Sequence, residues 1–351
     1  MLDALGPWRR YLIGFLAAVA LMSAALLGAY LWASQQLQRN LQLADGELLY
    51  TVPAGASLAS VSRELEKQGI IPSARLLRLY ARLTKQGGIR RGEFQLDESL
   101  NSITLLAKLR SDDVVQYHIT LLEGWRYQQA LDYIHSKANI KAELKGLTWD
   151  EQKQKLGIEL EHPEGYFFPD TYRYQNGESD VAILKRAHKK LQSILQREWQ
   201  NRAEALPYKT PAEALVMASI IEKETAQDSE RETISGVFVR RLQKNMRLQT
   251  DPTVIYGMGD RYKGNIRRKD LREATPYNTY VIKGLPPTPI ALVAERSIYA
   301  AMHPDNSNYL YFVAKGDGSH KFSATLDEHN RAVREYQIEN RKSNYRSAPK
   351  S

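Results

Sequence analysis

The chain contains no cysteine. This excludes disulfide scaffolds, thiolate zinc sites and cysteine nucleophiles, and leaves the compartment open. No His-Glu-x-x-His motif occurs, and the seven histidines are scattered, which argues against a zinc hydrolase. A Gly-x-Ser-x-Gly elbow and a Walker loop are also missing. Gly257, Gly259 and Gly264 do not form a dinucleotide fingerprint. No metal and no cofactor is therefore expected. There is no long internal repeat and no nucleic-acid recognition motif. The last absence is local: Tyr11 to Gln38 carry no charge.

From Tyr11 to Ala33 that stretch is mostly Leu, Ala, Ile, Val, Phe and Gly, long enough to cross a hydrocarbon core of about 30 Å. Trp8 and Tyr11 stand at one end, Tyr30 and Trp32 at the other, as in an aromatic belt. Arg9 and Arg10 precede the span. The positive-inside rule then assigns 1–10 to the cytoplasm, 11–34 to the membrane and the rest to the outside. A cleaved signal peptide has an apolar region of only about 7–15 residues and a compact cleavage site. Neither fits, so the segment reads as an uncleaved anchor.

Lysine and arginine exceed aspartate and glutamate by 49 − 40 = 9. A basic surface favours an acidic polymer or a membrane surface. The cations are dispersed apart from Arg267, Arg268 and Lys269, which read as a solvated face. Nucleic acid is not expected as a partner of a domain outside the membrane.

About 310 residues follow the anchor, enough for two domains, and the patterns predict an α+β fold. Residues 46–122 read as strand, helix, helix, strand. LLYTVP is the first strand. A helix follows, with Ser57 as its cap, Leu58, Val61 and Leu65 at helical spacing, and Gly69 at its end. A second helix runs from Ser73, and GEFQL and VVQYHITLL read as strands. Residues 123–340 form a larger mixed α+β domain, and 341–351 read as a disordered tail.

The stretch from Thr210 to Thr225, TPAEALVMASIIEKET, bears most directly on chemistry. Thr210, Pro211 and Glu213 predict a capping box with proline at the first helical position. At 100° per residue, Met217, Ile220, Ile221 and Glu224 share one stripe, about 180° from Leu215. Glu222 and Lys223 fall near Ser219 on a more polar side. A carboxyl on an apolar face is desolvated and keeps its proton to higher pH, as a general acid must. A glutamate bending out to solvent from a fraying helix end is the other reading, and geometry leaves both open. The many aromatic, amide and hydroxyl side chains suit a carbohydrate ligand, whose rings stack and whose hydroxyls need directional partners.

Several motifs read together are more specific. They are EGYFFPDTY (164–172), ASIIEKET (218–225), RLQTDPTVIYGMG (247–259), YNTY (277–280), GLPP (284–287), YLYFVAKGDGSHKF (309–322) and EHN (328–330). In that order the chain resembles the YceG-like family of endolytic murein transglycosylases. The resemblance implies a LysM-like domain over 46–122 and a catalytic domain over 123–340. It implies that Glu224, the second glutamate of EKET, is the catalytic acid of a lyase reaction on peptidoglycan. The glycan bond would break to give a 1,6-anhydromuramoyl end. Partners implied are peptidoglycan strands, the inner membrane and peptidoglycan synthases. A lysozyme-like hydrolase and a non-catalytic glycan-binding scaffold stand as alternatives.

Among the other motif residues, Glu164, Tyr166, Gln249, Asp251, Asn278, Tyr280 and His320 are candidate substrate contacts. Asp251, before Pro252, also reads as a helix cap. Asn278 and Tyr280 also read as a buried turn network, and His320 as a structural histidine. Asp170 reads as a turn residue and Glu328, after Thr325, as half of a second capping box. The chain departs from the family after GLPP. Thr288 stands where glycine is usual, and Val293 and Ala294 replace Pro-Gly, which restricts positive φ there.

Overall fold

A computed structural model describes residues 7–339, without the side chains of Pro7, Arg9 and Arg10. The segment 1–10 thus lies largely, and the expected tail 341–351 wholly, outside the described residues. The chain divides into two compact units between Tyr117 and His118.

In the first unit, α1 (Pro7–Gln38) is one continuous helix. It is long and apolar enough over Tyr11–Gln38 to cross a membrane, and every side chain from Tyr11 to Trp32 is exposed. It continues four residues past the expected end because its last turn has a packing partner. Leu37, and Leu41 just beyond the helix, are buried in the core of this unit. β1 (Glu47–Val52) pairs antiparallel with β2 (Gly92–Asp97), Glu47 opposite Asp97 and Val52 opposite Gly92. Between them lie α2 (Leu58–Lys67) and α3 (Ala74–Leu83). Ser57 and Ser60 form a reciprocal cap on α2. Gly69, at φ +75°, ends it with its N–H on Glu66 O and the next N–H on Leu65 O.

One helix escaped the sequence reading. It is α4 (Ser102–Arg110), capped by Asn101 on the N–H groups of Ile103 and Thr104, with Leu105, Leu106 and Leu109 in the same core. The run expected as one long strand over 114–122 is only β3 (Tyr117–Thr120), and it pairs with β5 (Thr171–Tyr174).

The second unit is mainly helical. α5 (Tyr127–His135), β4 (Ile140–Lys141) and α6 (Trp149–Leu156) precede β5. Then come β6 (Glu178–Ser179), α7 (Asp180–Gln200), α8 (Pro211–Glu224), α9 (Asp228–Gln243) and α10 (Asp251–Met258). α11 (Glu295–Met302), β7 (Tyr311–Ala314), β8 (His320–Ser323) and α12 (Leu326–Val333) complete it. β4 pairs with β6 in parallel, and β7 with β8 antiparallel. Ladders this short contribute little, so the helices hold the core.

α8 is the centre of that core, in contact with α7, α9, α10 and α11. Every side chain from Ala214 to Ile221 is buried, so the helix is not two-faced as the wheel suggested. A helix buried all round is a core helix. Ser219, expected on a polar side, donates to Val216 O (2.7 Å) and accepts from Ile290 N (3.0 Å), and so sits in the interior without an unmet hydrogen bond. Burying Leu215, Val216, Met217, Ile220 and Ile221 contributes roughly 10 kcal/mol before entropy. Desolvating one carboxyl at the helix end costs only a few kcal/mol, so packing outweighs it.

Candidate active site

The start of α8 is fixed by Thr210, whose hydroxyl accepts from Glu213 N, with proline in the first turn. The reciprocal half of the expected capping box is displaced by one residue, because Glu213 accepts from Lys209 N instead of Thr210 N. The helix ends because Thr225 turns extended (φ −142°, ψ 144°) and its hydroxyl accepts from Gln227 N. Glu224 is therefore the last helical residue, beyond the fully buried stretch and partly open to solvent.

The Glu224 carboxyl accepts at Oε1 from the hydroxyl of Thr250. Burial raises its pKa to about 7; the hydrogen bond from Thr250 opposes the rise, the charge of Asp251 adds to it, and Arg241 opposes it. The carboxyl thus keeps its proton near neutrality while lying beside groups that stabilise its charged form.

The segment that presents Thr250 is held on both sides. Thr250 N donates to Thr279 Oγ1 (3.0 Å) and Gln249 N to Thr279 O (3.2 Å). Gln249 is exposed and has a left-handed backbone, φ +53°, a conformation that costs a non-glycine residue energy and concentrates at functional sites. From α9, Arg241 donates Nη1 to Leu248 O (3.0 Å), Arg247 O (3.2 Å) and Gln249 Oε1 (3.4 Å), and Nε to Leu310 O (2.7 Å). Its guanidinium lies 5.2 Å from the centre of the Tyr311 ring. Burial pulls its pKa down, yet a guanidinium stays charged.

Asp251 is not the helix cap. Thr250 occupies that position, and Asp251, the first helical residue, accepts from the Tyr280 hydroxyl (2.7 Å). Burial, then the charge of Asp251, raises the Tyr280 pKa. Glu224, Gln249, Asp251 and Tyr280 therefore come together, with Thr250, Thr279 and Arg241 supporting them.

Of the other candidates, Asn278 adjoins this cluster through Tyr280, and the rest make their contacts with other residues. Asn278 is buried and spends its amide on Asp270 O, Glu273 O and Tyr280 N, which makes it the keystone of a loop. His320 is buried against Glu230, Nδ1 to Oε2 at 2.7 Å. Tyr166 is half-buried against the central core. Glu164 is 4 % exposed and accepts from Tyr127 N (2.8 Å) and from the Tyr256 hydroxyl (3.2 Å). Burial raises its pKa to about 7 as well. Tyr256 lies tilted 4.8 Å from Tyr277, with the Arg126 guanidinium 4.9 Å from its ring. Asp170 pairs with Lys190, and Thr325 and Glu328 form the expected capping box.

Glu222 turns away from Glu224. Its Oε2 accepts from Ala294 N (3.1 Å), and Arg231 lies 3.9 Å away. Residues 284–294, where the resemblance led us to expect further glycines, form an irregular loop in which Gly284 alone has a positive φ. Thr288 there hydrogen-bonds the Tyr277 hydroxyl (2.8 Å).

Sequence reasoning missed Arg241 and Thr279. Arg241 sits in an Arg-Arg pair that composition alone assigns to a surface. Thr279, inside YNTY, carried a signal only as part of a motif.

A carboxyl that holds its proton up to about pH 7, at the end of a core helix and with a hydroxyl donor on one oxygen, has the chemistry a general acid needs. The sequence model of the YceG-like family matches residues 50–335, and the chain belongs to that family. It is 31% identical over 331 residues to an endolytic murein transglycosylase of Bacillus subtilis, covering 88% of this chain and 90% of that protein. An endolytic murein transglycosylase of Streptococcus pneumoniae is 24% identical over 365 residues, 93% of this chain and 65% of the relative. The crystal structure of a yceG-like protein from Listeria monocytogenes superposes with a TM-score of 0.51 at 30% identity, over 82% of this chain and 99% of that one.

Proposed function

We propose that this chain is an endolytic murein transglycosylase. It cuts nascent glycan strands between N-acetylmuramic acid and N-acetylglucosamine and leaves 1,6-anhydromuramoyl ends, which limits strand length. The observation that carries the reading is Glu224, a carboxyl with a pKa of about 7 at the end of the central helix. In the first half of the reaction Glu224 gives its proton to the bridging oxygen as the C1–O bond breaks. The muramoyl 6-hydroxyl then attacks C1 and its proton returns to Glu224. No water is consumed and the acid is regenerated. The donated hydrogen bond of Thr250 and the charge of Arg241 stabilise the carboxylate between the two transfers. Gln249, Asp251 and Tyr280 contact the sugar nearest the acid, and Tyr166 lines the approach.

A second reading, hydrolysis, is favoured by Glu164. Burial raises its pKa to about 7, as it does that of Glu224, so the chain offers a second carboxyl that titrates near neutrality. Against it, Glu164 is nearly sealed from solvent and both its oxygens already accept hydrogen bonds, which leaves it poorly placed to activate water. Cleavage in ¹⁸O-water followed by mass spectrometry of the glycan ends decides between them. We expect unlabelled anhydro ends. A labelled reducing end establishes hydrolysis, and uncut strands a binding scaffold.

The proposal also places α1 in the inner membrane as a single-pass anchor with residues 1–10 in the cytoplasm. The catalytic domain, 123–340, and a LysM-like module, 46–122, then both lie in the periplasm, on the side where the synthases make new strands. A reporter fused after Ser351 should be periplasmic, and a mature N-terminus near Ala33 would overturn the anchor.

A further inference from the structure

We propose that the outer face of α3 rests on anionic lipid headgroups beside the point where α1 leaves the membrane; this builds on the anchor reading above. α3 buries Ala74, Leu77 and Ala81. On the opposite side, centred about 160° away, it presents Arg75, Leu79, Arg82 and Leu83, with Arg78 at the edge. Leu79 is 50 % and Leu83 75 % exposed. Residues 74–91 hold six cations, Arg75, Arg78, Arg82, Lys85, Arg90 and Arg91, and no acid. Among the described residues, Arg75, Arg78, Arg82 and Lys85 have no carboxylate partner. A helix that sets bare leucines among unpaired cations suits a surface with anionic groups outside and hydrocarbon beneath.

Position within the unit agrees. α3 packs against α1, whose side chains are exposed along the whole apolar span and begin to be covered only from Ala33. The contact is therefore at the end where α1 would leave the bilayer. The acidic stem peptides of a glycan would satisfy the cations but leave both leucines in water. A second copy on a two-fold axis would bring like charges together.

The chain has no cysteine, so one introduced thiol labels one site. Full-length protein carrying Leu83→Cys, with an environment-sensitive probe, is placed in nanodiscs containing brominated lipid, with or without phosphatidylglycerol. Ser23→Cys in α1 serves as the anchor control. We expect the Leu83 probe to be quenched at least about twofold more strongly with phosphatidylglycerol, and the gain to vanish when Arg75, Arg78 and Arg82 are changed to Glu. A quenched Ser23 probe with an unquenched Leu83 probe overturns the proposal while keeping the anchor. Quenching at Leu83 that ignores lipid charge, or a response only to soluble peptidoglycan fragments, overturns it too. An unquenched Ser23 probe removes the anchor, and the proposal with it.

Discussion

Thr250 lies 26 positions beyond Glu224 and donates its hydroxyl proton to the Glu224 carboxyl, joining the end of α8 to the start of α10. The acid and its donor thus come from two separate motifs, and Thr279, from a third, holds the donor in place. Neither motif could build the site alone.

Replacing the acid separates fold from chemistry. Glu224→Gln keeps the shape and the acceptor for Thr250 but carries no labile proton. Cleavage of glycan strands should fall by about 10²–10⁴-fold, with an unchanged circular dichroism spectrum. Glu222→Gln, which alters the contacts to Ala294 and Arg231 and leaves Glu224 untouched, should retain most activity. The reverse pattern would move the acid to Glu222.

The alkaline side of the pH profile should report Glu224, with kcat/KM declining as pH rises past about 7. Its neighbours push in opposite directions. Asp251→Asn removes a charge that raises the pKa, so the decline should move to lower pH. Thr250→Val removes a hydrogen bond that lowers it, so the decline should move to higher pH. Shifts of the same sign in both variants would refute this account.

The same carboxyl ties stability to pH. Free glutamate titrates at 4.5, and in the fold Glu224 titrates at about 7. The folded state holds the proton more tightly, so the stabilisation is complete below pH 4.5. It is lost as pH rises to about 7. Glutamine cannot ionise, so Glu224→Gln should gain on the wild type across that window, by at most about 3 kcal/mol at pH 8. Denaturant midpoints at pH 4 and pH 8 measure the gain; an equal difference at both would show that burial of the charge is not its cause.

Gly165 is held by contact as well as conformation. It has φ +80°, and an added Cβ would stand 2.4 Å from Pro289 Cβ. Gly165→Ala should destabilise by about 1–3 kcal/mol, read as a lower Tm. An unchanged Tm would mean that the Pro289 loop yields freely.

Local chemistry made much of the molecule legible. Ser57, Gly69, Thr210 and Thr325 marked helix ends through the hydrogen bonds they form, and the uncharged run gave α1. α4 was missed because its start is an asparagine-threonine cap within a serine-rich stretch that resembles a turn. The environment of α8 was misread because a wheel takes serine as polar, whereas Ser219 is satisfied from within. Helix position made Glu224 a candidate without deciding its role, and the resemblance of its motif selected it. Arg241 could not be found, because its role depends on carbonyls of a loop that only the folded chain brings to it. Asn278 and His320 read in sequence either as ligand contacts or as structural residues, and in the fold both have partners within the protein.

Leu37 and Leu41 give the first unit a mechanical property. The apolar helix passes into that unit's core with no slack between them, and Asn40 forms a backbone bridge with Asn101. A helix tied to a domain by a loose linker lets it tumble through all orientations, whereas this one behaves like a mast set into a hull. Fixed in a bilayer, the unit would drift sideways and spin about the membrane normal but could not capsize. Its search for a partner would be confined to a plane, with much of the orientational entropy of an encounter already removed.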